Sequence, residues 1–135
     1  MSGQRKKFLR ILRLEMEDLE DHILEMVSDY RRREERHEIT EHVCFGNVAV
    51  LSNEDCAVRH FRRILDAIRP EDYASLDMMI EDIRGQFERE VGVAGLSRAA
   101  CLFAQRKIQR VRAYVTHAWD PLSKEVECHA TADAG

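Results

Sequence analysis

The residues best suited to chemistry lie in one short polar stretch, where carboxylates and imidazoles follow each other closely. Glu34 and His37 form a Glu-x-x-His unit, the pair that carboxylate-bridged di-metal bundles project inward from a helix. With the ligand-type residues that follow, the candidate metal cluster is Glu34, His37, Glu38, Glu41 and His42. A di-metal site needs two such units, and the sequence contains one, in a fully polar setting. A solvated helix face is therefore the simpler interpretation, and metal binding is the alternative.

A second group of candidate residues consists of arginines, which make up 17 of the 21 basic residues. The guanidinium group suits bidentate contact with phosphate or carboxylate. In an antiparallel bundle the start of the first helix shares a pole with the ends of the second and fourth, so we expect an anion-binding pole formed by Arg10, Arg13, Arg59, Arg62, Arg63 and Arg110. A net charge of −4 and few aromatic residues argue against a dedicated nucleic-acid binder. Solvated helix faces neutralised by nearby acids are the simpler interpretation.

Cysteine and histidine also occur four residues apart, at Cys56 and His60, a spacing that can hold two ligands of Zn²⁺ or pair a thiol with a base. A structural zinc site normally needs four ligands, and nucleophilic catalysis needs a further residue that orients the base. The sequence identifies neither, and it lacks a glycine-rich phosphate loop and a Gly-x-Ser-x-Gly motif. We therefore predict that the protein is not an enzyme and uses no cofactor.

These candidate residues must be positioned by helices. The chain has 135 residues, 44% of them apolar, with only 6 Gly and 2 Pro, so a single domain rich in helix is expected. The clearest signal is an apolar seam with spacings of three and four residues, which places its members on one helix face: Leu9, Leu12, Met16, Leu19, Ile23, Met26 and Tyr30. This seam predicts a helix over residues 5–35, about 45 Å long.

The second helix is predicted over residues 38–69. A break is expected near residues 36–39, where the apolar seam gives way to charged residues, and Ser52-Asn53 is a second possible interruption because either residue can cap a helix. Pro70 ends this element, since proline disfavours helical geometry at the residue before it.

The third helix is predicted from Pro70, because proline and acids suit the first turn of a helix, and it is expected to end near Glu90. Residues 91–95 contain two glycines and form a break, after which Ser97 is expected to cap the fourth helix. Residues 1–121 are thus expected to form the helical domain. Residues 122–135 are small and polar, and are expected to form a flexible tail.

Four such segments with short connections predict an all-α fold, an antiparallel four-helix bundle with a long N-terminal hairpin and a shorter C-terminal hairpin. The length difference leaves apolar surface of the long hairpin uncovered, and a second copy of the chain commonly covers such surface. We therefore expect a homodimer, and a non-enzymatic interaction protein that self-associates and docks a protein partner. No uncharged apolar run reaches membrane-spanning length and the four cysteines form no Cys-x-x-Cys pair, so a cytoplasmic location without membrane contact is expected.

Overall fold

The computed structural model describes residues 2–117, which form an all-α antiparallel four-helix bundle, as predicted. The helices are α1 (Ser2–Glu35), α2 (Glu41–Ala67), α3 (Leu76–Ala94) and α4 (Arg98–His117), and a single 3-10 turn spans Pro70–Asp72. The end of the expected helical domain, residues 118–121, and the expected tail at residues 122–135 lie outside the described residues. Within the described part, no helix is both long enough and apolar enough to cross a membrane.

The turn between α1 and α2 occupies the predicted position, and α2 continues through Ser52 and Asn53 without interruption. His37 adopts a left-handed backbone conformation with a φ of 60°, which few residues other than glycine do. This conformation lets the backbone N–H of Glu38 donate to the carbonyl of Arg33, which closes the end of α1. The Thr40 hydroxyl then accepts a hydrogen bond from the N–H of Val43 and begins α2.

The predicted start of the third helix at Pro70 is wrong. Pro70–Asp72 forms only the 3-10 turn, and α3 begins at Leu76, where the Ser75 hydroxyl accepts from the N–H of Met78 at 3.2 Å. A serine cap satisfies a free backbone donor, whereas proline at a first turn satisfies none, so the capped site is the stronger start signal.

The predicted end of the third helix at Glu90 is also too early. The helix continues to Ala94 and ends at Gly95, which takes the left-handed conformation with a φ of 69°. Gly92 lies inside this last turn. One glycine inside a helix costs only about 1 kcal/mol, which the helix tolerates.

The core lies where all four helices overlap. Leu12, Met16 and Ile23 of the predicted α1 seam are buried there, and Phe61 of α2 contacts Phe87 of α3 edge to face with ring centroids 4.5 Å apart. Phe8 is also fully buried although it lies outside the seam. A helix in a four-helix bundle faces two neighbours and therefore needs an apolar face wider than a coiled-coil seam.

The long N-terminal hairpin extends beyond the short one, as predicted from sequence. α1 and α2 have 34 and 27 residues, whereas α3 and α4 have 19 and 20. Ile23 of α1 and Ala100 in the first turn of α4 line a common cavity, so they lie at about the same level of the bundle. From that level, α1 continues for about three more turns. We refer to the extension, residues 24–35 of α1 with residues 41–53 of α2, as the arm.

Candidate functional site

An apolar cavity of about 380 Å³ opens where the short hairpin ends and the arm begins. Its walls come from α1 (Met16, Leu19, Ile23), α2 (Ala57, Phe61) and the first turns of α4 (Ala100, Phe103), with Glu54 and Ser97 as polar members. Several of the wall residues of α2 and α4 are alanines, and their small side chains leave space that larger residues would fill. The cavity thus has two causes: α4 begins at the level of Ile23 rather than beside the arm, and its first turns are rich in alanine.

The faces of α1 and α2 that line the cavity carry further apolar residues along the arm. On α2, Val43, Val50 and Ala57 are spaced by seven residues and lie on one face, because seven residues make two helical turns. Val43 is 43% exposed and Val50 is 59% exposed, whereas Ala57 is buried under α3 and α4. Gly46 lies between them, and a Cβ atom built on it would meet no atom within 4 Å.

On α1, Met26 and Tyr30 follow Ile23 at the same three-and-four spacing and are only half buried. We call the surface formed by Met26, Tyr30, Val43, Gly46 and Val50 the open face of the arm. It has the spacing of a helix surface that packs against other helices, and within the described residues no helix of this chain covers it. The cavity and the open face lie along the same faces of α1 and α2, and we refer to them together as the apolar groove.

A charge network joins α1 to α2 next to the arm, on a side that does not line the cavity. Arg62 contacts Glu20, and Arg59 lies 3.3 Å from Glu20 and 2.7 Å from Asp55. Asp55 is only 5% exposed, and burial raises its pKa, helped by a hydrogen bond with Glu20 and opposed by the charge of Arg59. One of its oxygens, Oδ1, has no hydrogen-bond partner. The network fixes the register of the hairpin at an electrostatic cost.

Sequence analysis did not identify this network. Asp55 and Arg59 are four residues apart, which signals a contact along one helix, but Glu20 belongs to another helix. The apolar neighbours of Asp55, Leu51 and Val58, mark it as a residue on a packed face. That pattern is the one sequence signal that points to its burial.

The proposed metal cluster is spread over the turn between α1 and α2. Glu34 lies in the last turn of α1, His37 lies in the turn, and Glu41 and His42 begin α2. Glu38 lies 3.7 Å from Arg33. The Glu-x-x-His unit is therefore not formed on a helix, since α1 ends between its two members. In residues 2–117, no group of three or more His, Cys, Asp or Glu side chains is placed to hold a metal ion.

The six arginines of the predicted anion-binding pole divide into two groups. Arg13 donates to the carbonyl of Leu65 at 2.9 Å and completes the end of α2, while Arg59 and Arg62 belong to the charge network. The other three are exposed and form no ion pair with another described residue: Arg10, Arg63 and Arg110. Half of the predicted set therefore has a structural partner within the chain.

Near Cys56, the structure provides the third residue that sequence analysis could not name. Nδ1 of His60 lies 2.7 Å from a carboxylate oxygen of Glu90 on α3, which orients the imidazole. The Cys56 thiol is exposed and forms no hydrogen bond with His60. Cys101 of α4 is half buried, and burial raises the pKa of its thiol.

Compared with protein-family models, curated proteins and solved structures, the chain gives no match. Within residues 2–117, the apolar groove is a surface with helix-packing spacing that no helix of the chain covers.

Proposed function

We propose that this chain is a non-enzymatic helical interaction protein that self-associates through the apolar groove, with a second copy as the partner that occupies it. The observation that carries the proposal is the length difference between the hairpins, which leaves the cavity and the open face of the arm uncovered. Helix-in-groove binding uses apolar anchors at three-and-four spacing on the incoming helix. The arm itself presents such anchors, Val43 and Val50 among them, so two copies are mutually suitable partners.

Burial of the groove is favourable because removing apolar surface from water contributes about 25 cal/mol per Å². A two-fold dimer uses each surface twice, so both grooves are covered by the same contact. A different protein partner would dock in the same groove, through an amphipathic helix of its own. Self-association is tested first because it requires only the purified chain.

The test is a pair of arginine substitutions on α2. Val50→Arg places a charge on the open face, where a bound partner would bury it without a counter-ion. Phe45→Arg is the matched control, because Phe45 is 75% exposed and lies about 160° around the helix from Val43. Both residues are exposed in the monomer, so neither change disturbs the core.

Light scattering after size-exclusion chromatography measures the outcome. The wild type and Phe45→Arg are expected at twice the chain mass of 15.7 kDa. Val50→Arg is expected at the single-chain mass, with a dissociation constant raised by about 30-fold or more. A wild-type protein that remains a monomer at about 100 μM, or equal behaviour of the two variants, would refute the proposal.

A further inference from the structure

We infer that the two copies dock with their arms antiparallel, so that a two-fold axis passes between Tyr30 and Val50 and the four arm helices form an intermolecular bundle. This inference rests on the proposed self-association and adds the orientation of the partner. It follows from the extent of the open face and from the charge at the two ends of the arm.

The position of the axis follows from the register of the hairpin. Glu17 contacts Arg62 and Glu20 contacts Arg59. A residue of α1 and the residue of α2 that lies opposite it therefore have numbers whose sum is about 79. Residue 30, near the middle of the open part of α1, therefore lies level with residue 49 of α2. If the partner arm covers the open face without overlapping α3 or α4, the axis must pass through this level. Tyr30 and Val50 then lie near their own copies.

An antiparallel arrangement also brings the tip of each arm to the cavity of the other copy. The cavity lies at the base of the arm, about 18 Å from the tip if twelve residues rise by 1.5 Å each. The partner's arm has this same length. The tip at residues 36–40 is therefore the part of the partner that reaches the wall formed by Ile23 and Ala100.

Charge selects this orientation over a parallel one. Residues 31–37, which end α1 and begin the tip, contain four arginines and two glutamates, a net charge of +2. Of the seven acids in residues 14–30, Asp18, Asp21 and Glu25 are exposed and form no ion pair with another described residue, whereas the other four pair with basic residues of the same chain: Glu15, Glu17, Glu20 and Asp29. Glu54, at the cavity wall, is exposed and forms no ion pair with another described residue. Antiparallel arms place the arginines near the tip of one arm beside the carboxylates where the other arm begins. Parallel arms place the two arginine clusters side by side.

Gly46 is consistent with a closely packed helix on this face. It lies inside α2, and nothing within the described chain fills the space that a Cβ atom would occupy. Glycine inside a helix costs about 1 kcal/mol, and no described residue packs into the open space at Gly46. A helix of a second copy that crosses the open face would approach most closely here.

The experiment uses a photo-reactive amino acid, benzoylphenylalanine, at Glu38, Val50 or Phe45 of the full chain. All three positions are exposed, so the probe leaves the core unchanged, and circular dichroism checks the helix content of each variant. Probe-bearing protein is mixed with ¹⁵N-labelled protein at a concentration above the dissociation constant and allowed to exchange. Mass spectrometry then assigns each cross-link as intramolecular or intermolecular from the isotope pattern.

The antiparallel arrangement predicts two results. The probe at Glu38 cross-links to the partner near Ile23 or the first turn of α4, and the probe at Val50 cross-links to the partner's arm around its own position. Intermolecular products from Phe45, on the opposite side of α2, are expected at less than about a tenth of the Val50 yield. The reason is that the benzophenone carbonyl of the probe reacts only with a C–H bond that it contacts. Raising NaCl from about 0.05 to 0.5 M is expected to increase the dissociation constant about fivefold or more.

Two outcomes would overturn the inference while self-association stands: Glu38 cross-linking to residues 31–42 of the partner, which indicates parallel arms, or intermolecular products mainly from Phe45. A monomeric mass for the wild type would instead remove the proposed function itself. Salt-insensitive association would remove the electrostatic reason for the orientation. The mass measurement and the cross-link map thus separate the two failures.

Discussion

Filling the cavity from within the chain is expected to stabilise the monomer and to weaken self-association at the same time. Ala100 lies half buried in the cavity wall, and a leucine there adds three carbons beside Leu19 and Phe103. Each buried carbon contributes about 0.8 kcal/mol, or about 2.4 kcal/mol for three. Ordering the new side chain costs about 0.5–1 kcal/mol, so the net gain is about 1.4–1.9 kcal/mol. Alanine and leucine have similar helix propensities, so the backbone adds little.

The assay is reversible urea unfolding and thermal melting of Ala100→Leu in the Val50→Arg background, where the protein is expected to be monomeric. A gain of about 1.5 kcal/mol corresponds to a rise in Tm of about 5 °C for a chain of this size. Ala113→Leu is the matched control, because Ala113 lies on the exposed side of the same helix. In the wild-type background, Ala100→Leu is expected to increase the dimer dissociation constant.

Two results would separate the cavity from the open face of the arm as the docking surface. Equal stability of Ala100→Leu and Ala113→Leu would mean that the cavity is not a space that an internal side chain can fill. A stabilised Ala100→Leu monomer with unchanged dimer affinity would mean that the partner does not use the cavity. In that case the contact would be confined to the open face of the arm.

Three further predictions concern the rest of the chain. Burial raises the pKa of Asp55 above its ordinary value of 3.8, so the folded state favours the protonated carboxyl. This contribution to stability is present below pH 3.8 and is lost as the pH rises through the raised pKa. The stability of Asp55→Asn relative to wild type should therefore increase from pH 3.5 to pH 7 in urea unfolding, and a constant difference would contradict this. Gly92→Ala should raise the free energy of unfolding by up to about 1 kcal/mol, since the helical site of Gly92 has open space. Gly95→Ala should lower it by about 1 kcal/mol, because Gly95 has a positive φ. Changes of the same sign in the two variants would contradict these backbone conformations. Removal of metal with a chelator should leave Tm and dimer mass unchanged, and a loss of either would support the Glu34, His37, Glu38, Glu41 and His42 cluster as a metal site.

Much of the fold was predictable because helix formation depends on local spacing. The seam from Leu9 to Tyr30 identified α1, and its replacement by Arg33 and His37 located the turn that follows. The start of α3 was misplaced because two local signals compete over a few residues. Pro70 and Ser75 both suit a helix start, and only the backbone shows which one satisfies a free N–H group.

The candidate site was predictable only in outline. Unequal hairpin lengths already indicated uncovered apolar surface, but not which residues would line it. Val50 reads in the sequence as one apolar residue among several, and only the start of α4 at Arg98 leaves it uncovered. The pairing of Arg59 with Glu20, and of His60 with Glu90, joins residues 30 or more positions apart. Such contacts depend on the rotation and register of packed helices, which a single sequence does not reveal.

The sequence by itself determined that four amphipathic helices form, where most of them end, and that the N-terminal pair is the longer, because helix periodicity and capping act over three to seven residues. The tertiary structure decided which faces remain uncovered, which arginines are engaged by carboxylates or carbonyls, and that an apolar cavity opens at the base of the arm. These features arise from how far each helix extends beside its neighbour, and that overlap is set by the packing of the whole core rather than by any one segment.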